Sequence, residues 1–107
     1  MWRVVADYHT HTQYSHGKGT ILDNARAAQT QGLKVLGIAD HGPANWGHGR
    51  PTTLADFDAI ITDARAVTAA LLGLQVLAGI EADIINYQGE LDLPRELQQR
   101  LDQVLAG

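Results

Sequence analysis

Short, continuously apolar runs alternate along this chain with longer stretches in which apolar residues recur every three or four positions. Arg3 to His9 reads as a strand, because Val4 and Val5 are β-branched and the run ends in polar residues. Gly17 and Gly19 punctuate a loop, and Thr20 with Asp23 three residues on marks a helix start. Ile21, Ala25 and Ala28 trace that helix's apolar stripe, which stops at Gly32. The pattern repeats with Val35 to Ala39, a strand of the kind buried on both faces, ending at Asp40-His41. A loop rich in turn formers follows (Gly42, Pro43, Gly47, Gly49, Pro51), and Thr53 caps a second helix. Its stripe is Leu54, Phe57, Ile60, Ile61, Ala64, Val67 and Leu71, closed by Gly73. A third strand, Gln75 to Ile80, ends at Glu81.

Beyond Glu81 the periodicity weakens. Ile84 to Leu91 reads as a small hairpin around Gln88-Gly89, Pro94 to Leu101 as a short helix, and Asp102 to Ala106 as the start of another strand. The repeat unit is βα, which predicts an α/β fold with a parallel sheet or barrel and right-handed crossovers. Each unit takes roughly 30–40 residues, so the chain holds about three, whereas a closed α/β barrel needs about 250 residues. The expectation is an open barrel segment: either the chain is a fragment, or something else covers its edge.

Composition narrows the chemistry. With 107 residues there is room for one core, and no apolar run approaches the roughly 18 residues of a membrane span. The chain starts without a secretory h-region, so a cytoplasmic location is expected. The net charge is −4 and the basic residues are scattered, which argues against extended nucleic-acid contact. No cysteine is present, so a metal site has only imidazole and carboxylate to draw on. All five histidines (His9, His11, His16, His41, His48) lie in the first half of the chain.

In Asp7-Tyr8-His9-Thr10-His11 the two-residue period points both imidazoles to one side of a strand end. Alone, such a pair also fits two exposed polar residues. His41 ends the second strand, however, and Glu81 the third, so three consecutive parallel strands deliver metal-ligand types to one sheet edge. Imidazole and carboxylate together suit Zn(II), Mn(II) or Fe(II). His16 lies in a glycine-flanked loop able to fold back over that edge. Asp7 and Asp40 are candidates for orienting the ligands from behind. Arg50 is a candidate phosphate contact, and His48 a solvated loop residue.

Asp7-x-His9-x-His11-Thr12, Gly37-Ile38-Ala39-Asp40-His41-Gly42-Pro43 and Gly79-Ile80-Glu81-Ala82-Asp83-Ile84, in that order, resemble the PHP (polymerase and histidinol phosphatase) family. The Tyr14-Ser15-His16-Gly17 wording is closest to its stand-alone bacterial phosphoesterases. The resemblance implies that residues 1–107 are the amino-terminal part of a distorted seven-stranded (β/α) barrel carrying a divalent metal cluster. It implies that His9 and His11 bind one metal, that Glu81 bridges it to another, and that His16 and His41 share a further ion. The family's later ligands would lie beyond Gly107.

The expected reaction is hydrolysis of a small phosphomonoester by metal-bound hydroxide, with no side-chain nucleophile. The expected partner is the remaining carboxyl-terminal part of the barrel or a second copy of the chain. Two other readings stay open on the sequence: an amidohydrolase-type metal hydrolase, and a non-catalytic metal-binding half barrel acting by association.

Overall fold

The computed structural model describes residues 2–45 and 52–107. Its element order is β1 (Ala6–Thr10), α1 (Ile21–Thr30), β2 (Val35–Ile38), β3 (Asp40–His41), α2 (Leu54–Ala70), β4 (Gln75–Leu77), β5 (Gly79–Ala82), α3 (Arg95–Arg100) and β6 (Gln103–Ala106). Every pairing between these strands is parallel, as the βα repeat predicts.

Both long helices start where the sequence places them. Thr20 and Asp23 form a reciprocal capping box on α1, and Thr53 and Asp56 do the same on α2. Gly32 and Gly73 follow the helices at φ near +80°, a conformation that glycine adopts without a Cβ clash. Ile21, Ala25 and Ala28 of α1 and Phe57, Ile60, Ala64 and Val67 of α2 are buried against Leu36, Ile38, Val76 and Ile80 of the sheet. Leu54 departs from its expected place: it is exposed, because the helical rotation carries it off the stripe defined by Phe57, Ile60, Ala64 and Val67.

The second and third strands are each divided. Strand order is β1-β2-β4 in one sheet and β3-β5-β6 in the other, with the breaks at Ala39 and Ala78. At the breaks the backbone finds other partners. Ala39 N–H donates to the Thr10 carbonyl, Ala78 N–H to the Asp102 carboxylate, and the Ala78 carbonyl accepts from Asp102 N–H. β1 ends at Thr10, and β6 enters beside β5, so the two segments exchange neighbours and the layer curls.

Two smaller expectations change. β1 begins at Ala6 rather than Arg3, so Val4 and Val5 precede it, and both are exposed, as is Tyr8 on the strand itself. The hairpin from Ile84 to Leu91 is reduced to one antiparallel bridge between those two residues, since the Asn86 side chain instead accepts from Gln88 and Glu90 N–H. α3 is a short helix between Pro94 and Leu101, as the sequence predicts. No helix among the described residues is long and apolar enough to cross a membrane.

Candidate metal centre

β1, β3 and β5 end at the same rim, and their last residues carry the donors. His41 and Glu81 are register partners on neighbouring strands. His9 sits on β1, and His11 directly follows it. The loop that brings in His16 turns back tightly: Gly17 N–H donates to the Thr12 carbonyl at 2.9 Å, and a Cβ on Gly17 would lie 2.4 Å from the His11 carbonyl oxygen. Only a residue without a side chain fits there.

All four of these imidazoles and the carboxylate come together. Glu81 Oε2 lies 3.0 Å from His9 Nε2, 3.3 Å from His11 Nε2 and 3.6 Å from His41 Nδ1. The rings of His11 and His16 are 4.1 Å apart between centroids, and those of His11 and His41 are stacked at 4.8 Å. Two groups of three could each hold one ion: His9, His11 and Glu81, and His11, His16 and His41. His11 is common to both. Donors on one tetrahedral ion at about 2.1 Å are separated by about 3.4 Å, which matches the spacing around Glu81 Oε2.

The hydrogen-bond pattern fits a cation as well. Ser15 Oγ donates to Asp40 Oδ1 at 2.6 Å, which leaves it an acceptor towards His11 Nδ1 at 3.3 Å. That fixes the His11 proton on Nδ1 and turns the Nε2 lone pair towards the Glu81 carboxylate. Two acceptors face to face repel unless a positive charge lies between them. Burial, and then the neighbouring His16 and His41, lower the His11 pKa and favour its neutral, ligating form. Burial alone would raise Glu81, but the His9 hydrogen bond and the fields of His41 and His9 outweigh it and hold the carboxyl below its usual value.

Behind the donors stands Asp40, which is fully buried. It accepts from Thr12 N–H at 2.7 Å, Thr12 Oγ1 at 2.6 Å and Ser15 Oγ, so one carboxylate pins the start of the loop between His11 and His16. Asp7 acts more locally, accepting from the backbone N–H of His9 at 3.0 Å. Arg50 and His48 lie outside the described residues.

Four contributors escape a reading of the sequence. Thr12 and Ser15 look like ordinary loop residues, and only the buried acid at the end of an apolar strand hints that something must satisfy it. The Asn45 amide lies 3.3 Å from His41 Nδ1. Asp92 accepts from Ala44 and Asp83 N–H, both at 3.0 Å, and so ties the segment after His41 to the segment after Glu81. Nothing in the spacing of Asp92 signals this.

The chain is similar to known proteins along nearly its whole length. The chain is similar to a protein of Acetivibrio thermocellus named a probable phosphatase, with 39% identity over 105 residues covering 97% of this chain and 41% of that one. Proteins of the same name from Aliivibrio fischeri strain ES114 (41% identity, 96% of this chain, 39% of the relative) and Clostridium botulinum strain Hall (38%, 97% and 40%) are comparably similar. The chain thus spans about two fifths of the length of these curated relatives. The model of the PHP domain matches residues 7–106, which takes in every described donor of the cluster, and the chain belongs to the PHP family.

Proposed function

We propose that this chain is the ligand-bearing amino-terminal part of a metal-dependent phosphoesterase that hydrolyses small phosphomonoesters. The observation that carries the reading is the gathering of His9, His11 and His41 around one oxygen of Glu81 at 3.0–3.6 Å, with the His16 ring 4.1 Å from that of His11. The relatives named probable phosphatases support it. Zn(II), Mn(II) or Fe(II) held by His9, His11, His16, His41 and Glu81 supplies Lewis-acid charge for phosphoryl oxygens and acidifies water towards neutral pH.

The protein's own groups prepare that chemistry. Glu81 offsets the cations, Asp40 and Ser15 set the tautomer and aim of His11, and the half-exposed ring of His9 leaves one side of the cluster open to an incoming phosphate. The absence of cysteine is consistent with attack by water. The open edges at β1 and β6 are to be covered by further βα units, which complete the seven-stranded barrel and add ligands from the same polypeptide or a second one.

The test is turnover of a chromogenic phosphomonoester with Zn(II) or Mn(II), comparing this chain with a version extended to the full length of its relatives. Chelator-sensitive turnover by the longer version, little by the short one and none on amide substrates is the expected result. Hydrolysis of amides in place of phosphate esters would move the protein to an amidohydrolase-type reaction. Loss of all metal-dependent turnover in the longer version would leave a metal-binding module without catalysis.

A further inference from the structure

β1 and β2 pair through a register shift: Asp7 is opposite Leu36 and Thr10 opposite Ile38, so β1 carries one extra residue between Asp7 and Thr10, where His9 lies. Such a bulge interrupts the ladder and re-aims the side chains next to it. β2 breaks at Ala39, just before Asp40-His41, and β4 gives way to β5 at Ala78, just before Glu81. All three donor-bearing strands are therefore irregular at the same level, one layer beneath the cluster.

The Gln103 side chain reaches into that layer. Gln103 of β6 is opposite Gly79 of β5, and its Nε2 donates to the Tyr8 carbonyl on β1 at 2.7 Å and to the Ile38 carbonyl on β2 at 3.3 Å. It reaches across because two glycines lie in its path. A Cβ on Gly37 would stand 2.6 Å from Gln103 Nε2, and a Cβ on Gly79 would stand 2.4 Å from Gln103 Cγ. The neighbours Leu36, Ile38 and Ile80 are buried in the core, and strand alternation places these glycines on the opposite face. The two N–H donors of Gln103 thus serve the carbonyl before His9 and the carbonyl at the β2 break, while its stem rests on the residue two before Glu81.

We infer that Gln103 is a positioning residue for the metal cluster, a cross-brace that sets the separation of the strand ends bearing His9, His41 and Glu81. The inference rests on the metal reading above. Gln103 is not a ligand: its amide nitrogen is committed to backbone carbonyls below the donors.

The experiment compares Co(II) affinity and the visible Co(II) absorption spectrum in the wild-type chain, Gln103→Met and Val67→Ala. The first variant keeps side-chain length and removes both donors. The second trims the core face of α2 and controls for general loss of stability. Gln103→Met is expected to bind Co(II) about tenfold more weakly with a changed spectrum, in the range seen when outer-shell partners of metal ligands are removed. Val67→Ala is expected to keep the wild-type affinity and spectrum. If Gln103→Met does not fold, Gln103→Glu, equal in shape but without N–H donors, takes its place. Wild-type affinity and spectrum in the Gln103 variant, or an equal loss in Val67→Ala, would overturn the inference while leaving the metal reading intact. Absence of Co(II) binding by the wild-type chain would overturn both.

Discussion

Asp40→Ala should be among the most damaging single substitutions in the described part of the chain, and its cost follows from three hydrogen bonds. Asp40 and Thr12 are both fully buried, so removing the carboxylate strands Thr12 N–H and Thr12 Oγ1 out of reach of water. A buried donor left without an acceptor costs about 1–3 kcal/mol. Ser15 is only partly buried and can turn its hydroxyl to solvent, so it adds little. Relief from burying a carboxylate returns part of the loss, which leaves a net cost of about 3 kcal/mol. Asp40→Asn separates charge from geometry. Its oxygen can keep the two bonds now made to Oδ1, and its amide can donate to Thr12 Oγ1, which has lone pairs for this and for Tyr14 N–H. Charge assistance and the acceptor of the Thr12 hydroxyl proton are lost, but Thr12 N–H keeps its partner, so the cost is about 2 kcal/mol, below that of Asp40→Ala. Urea unfolding at fixed protein concentration, read as a shift of midpoint at common slope, measures both. A loss below about 1 kcal/mol for Asp40→Ala, or equal losses for the two variants, would refute the view that the hydrogen bonds rather than the charge hold this loop.

Other consequences can be checked more briefly. His9→Ala, His41→Ala and Glu81→Ala should each reduce bound metal strongly in elemental analysis, whereas His48→Ala should leave it nearly unchanged; equal retention in all four would remove the assignment. Gly17→Ala places a methyl 2.4 Å from the His11 carbonyl oxygen, so it should lower the melting temperature and weaken metal binding together. The Arg65 guanidinium, together with Ala78 N–H, holds the Asp102 carboxyl below its ordinary value. Its contribution is therefore present above the unfolded-chain value of about 3.9 and is lost as pH falls through the folded value. Asp102→Asn should cost about 1 kcal/mol at pH 7 and progressively less in acid. Exposed Val4, Val5 and Tyr8 along the β1 edge should make the isolated chain associate at micromolar concentration, which sedimentation would show as species heavier than a monomer.

The parts of this fold that were legible in the sequence are those governed by local rules. Thr20 with Asp23 and Thr53 with Asp56 announce their helices because a capping box needs only neighbouring residues. His9, His11, His41 and Glu81 were legible as a set because each terminates an apolar run, and parallel strands bring such ends to one rim. What stayed hidden depends on partners distant in the chain. The breaks at Ala39 and Ala78 arise because each segment changes neighbours midway, which no property of Val35-Leu36-Gly37-Ile38-Ala39 reveals. Asp92 and Gln103 act on backbone groups between 9 and 95 residues away, through side chains that alone read as surface polar groups. Leu54 was misplaced for a subtler reason: spacing by three continues a stripe on paper, yet in a helix it drifts to the stripe's margin.

The most direct test of the account is an anomalous difference map, collected at the zinc edge from crystals of the zinc-loaded chain. The account predicts a peak within bonding distance of His9, His11 and Glu81, and a second, of equal or lower occupancy, beside His16 and His41. Both should vanish in Glu81→Ala crystals, or the second alone should persist weakly. Zinc located elsewhere on the chain, or five side chains that keep their hydrogen bonds to one another with no ion among them, would contradict it.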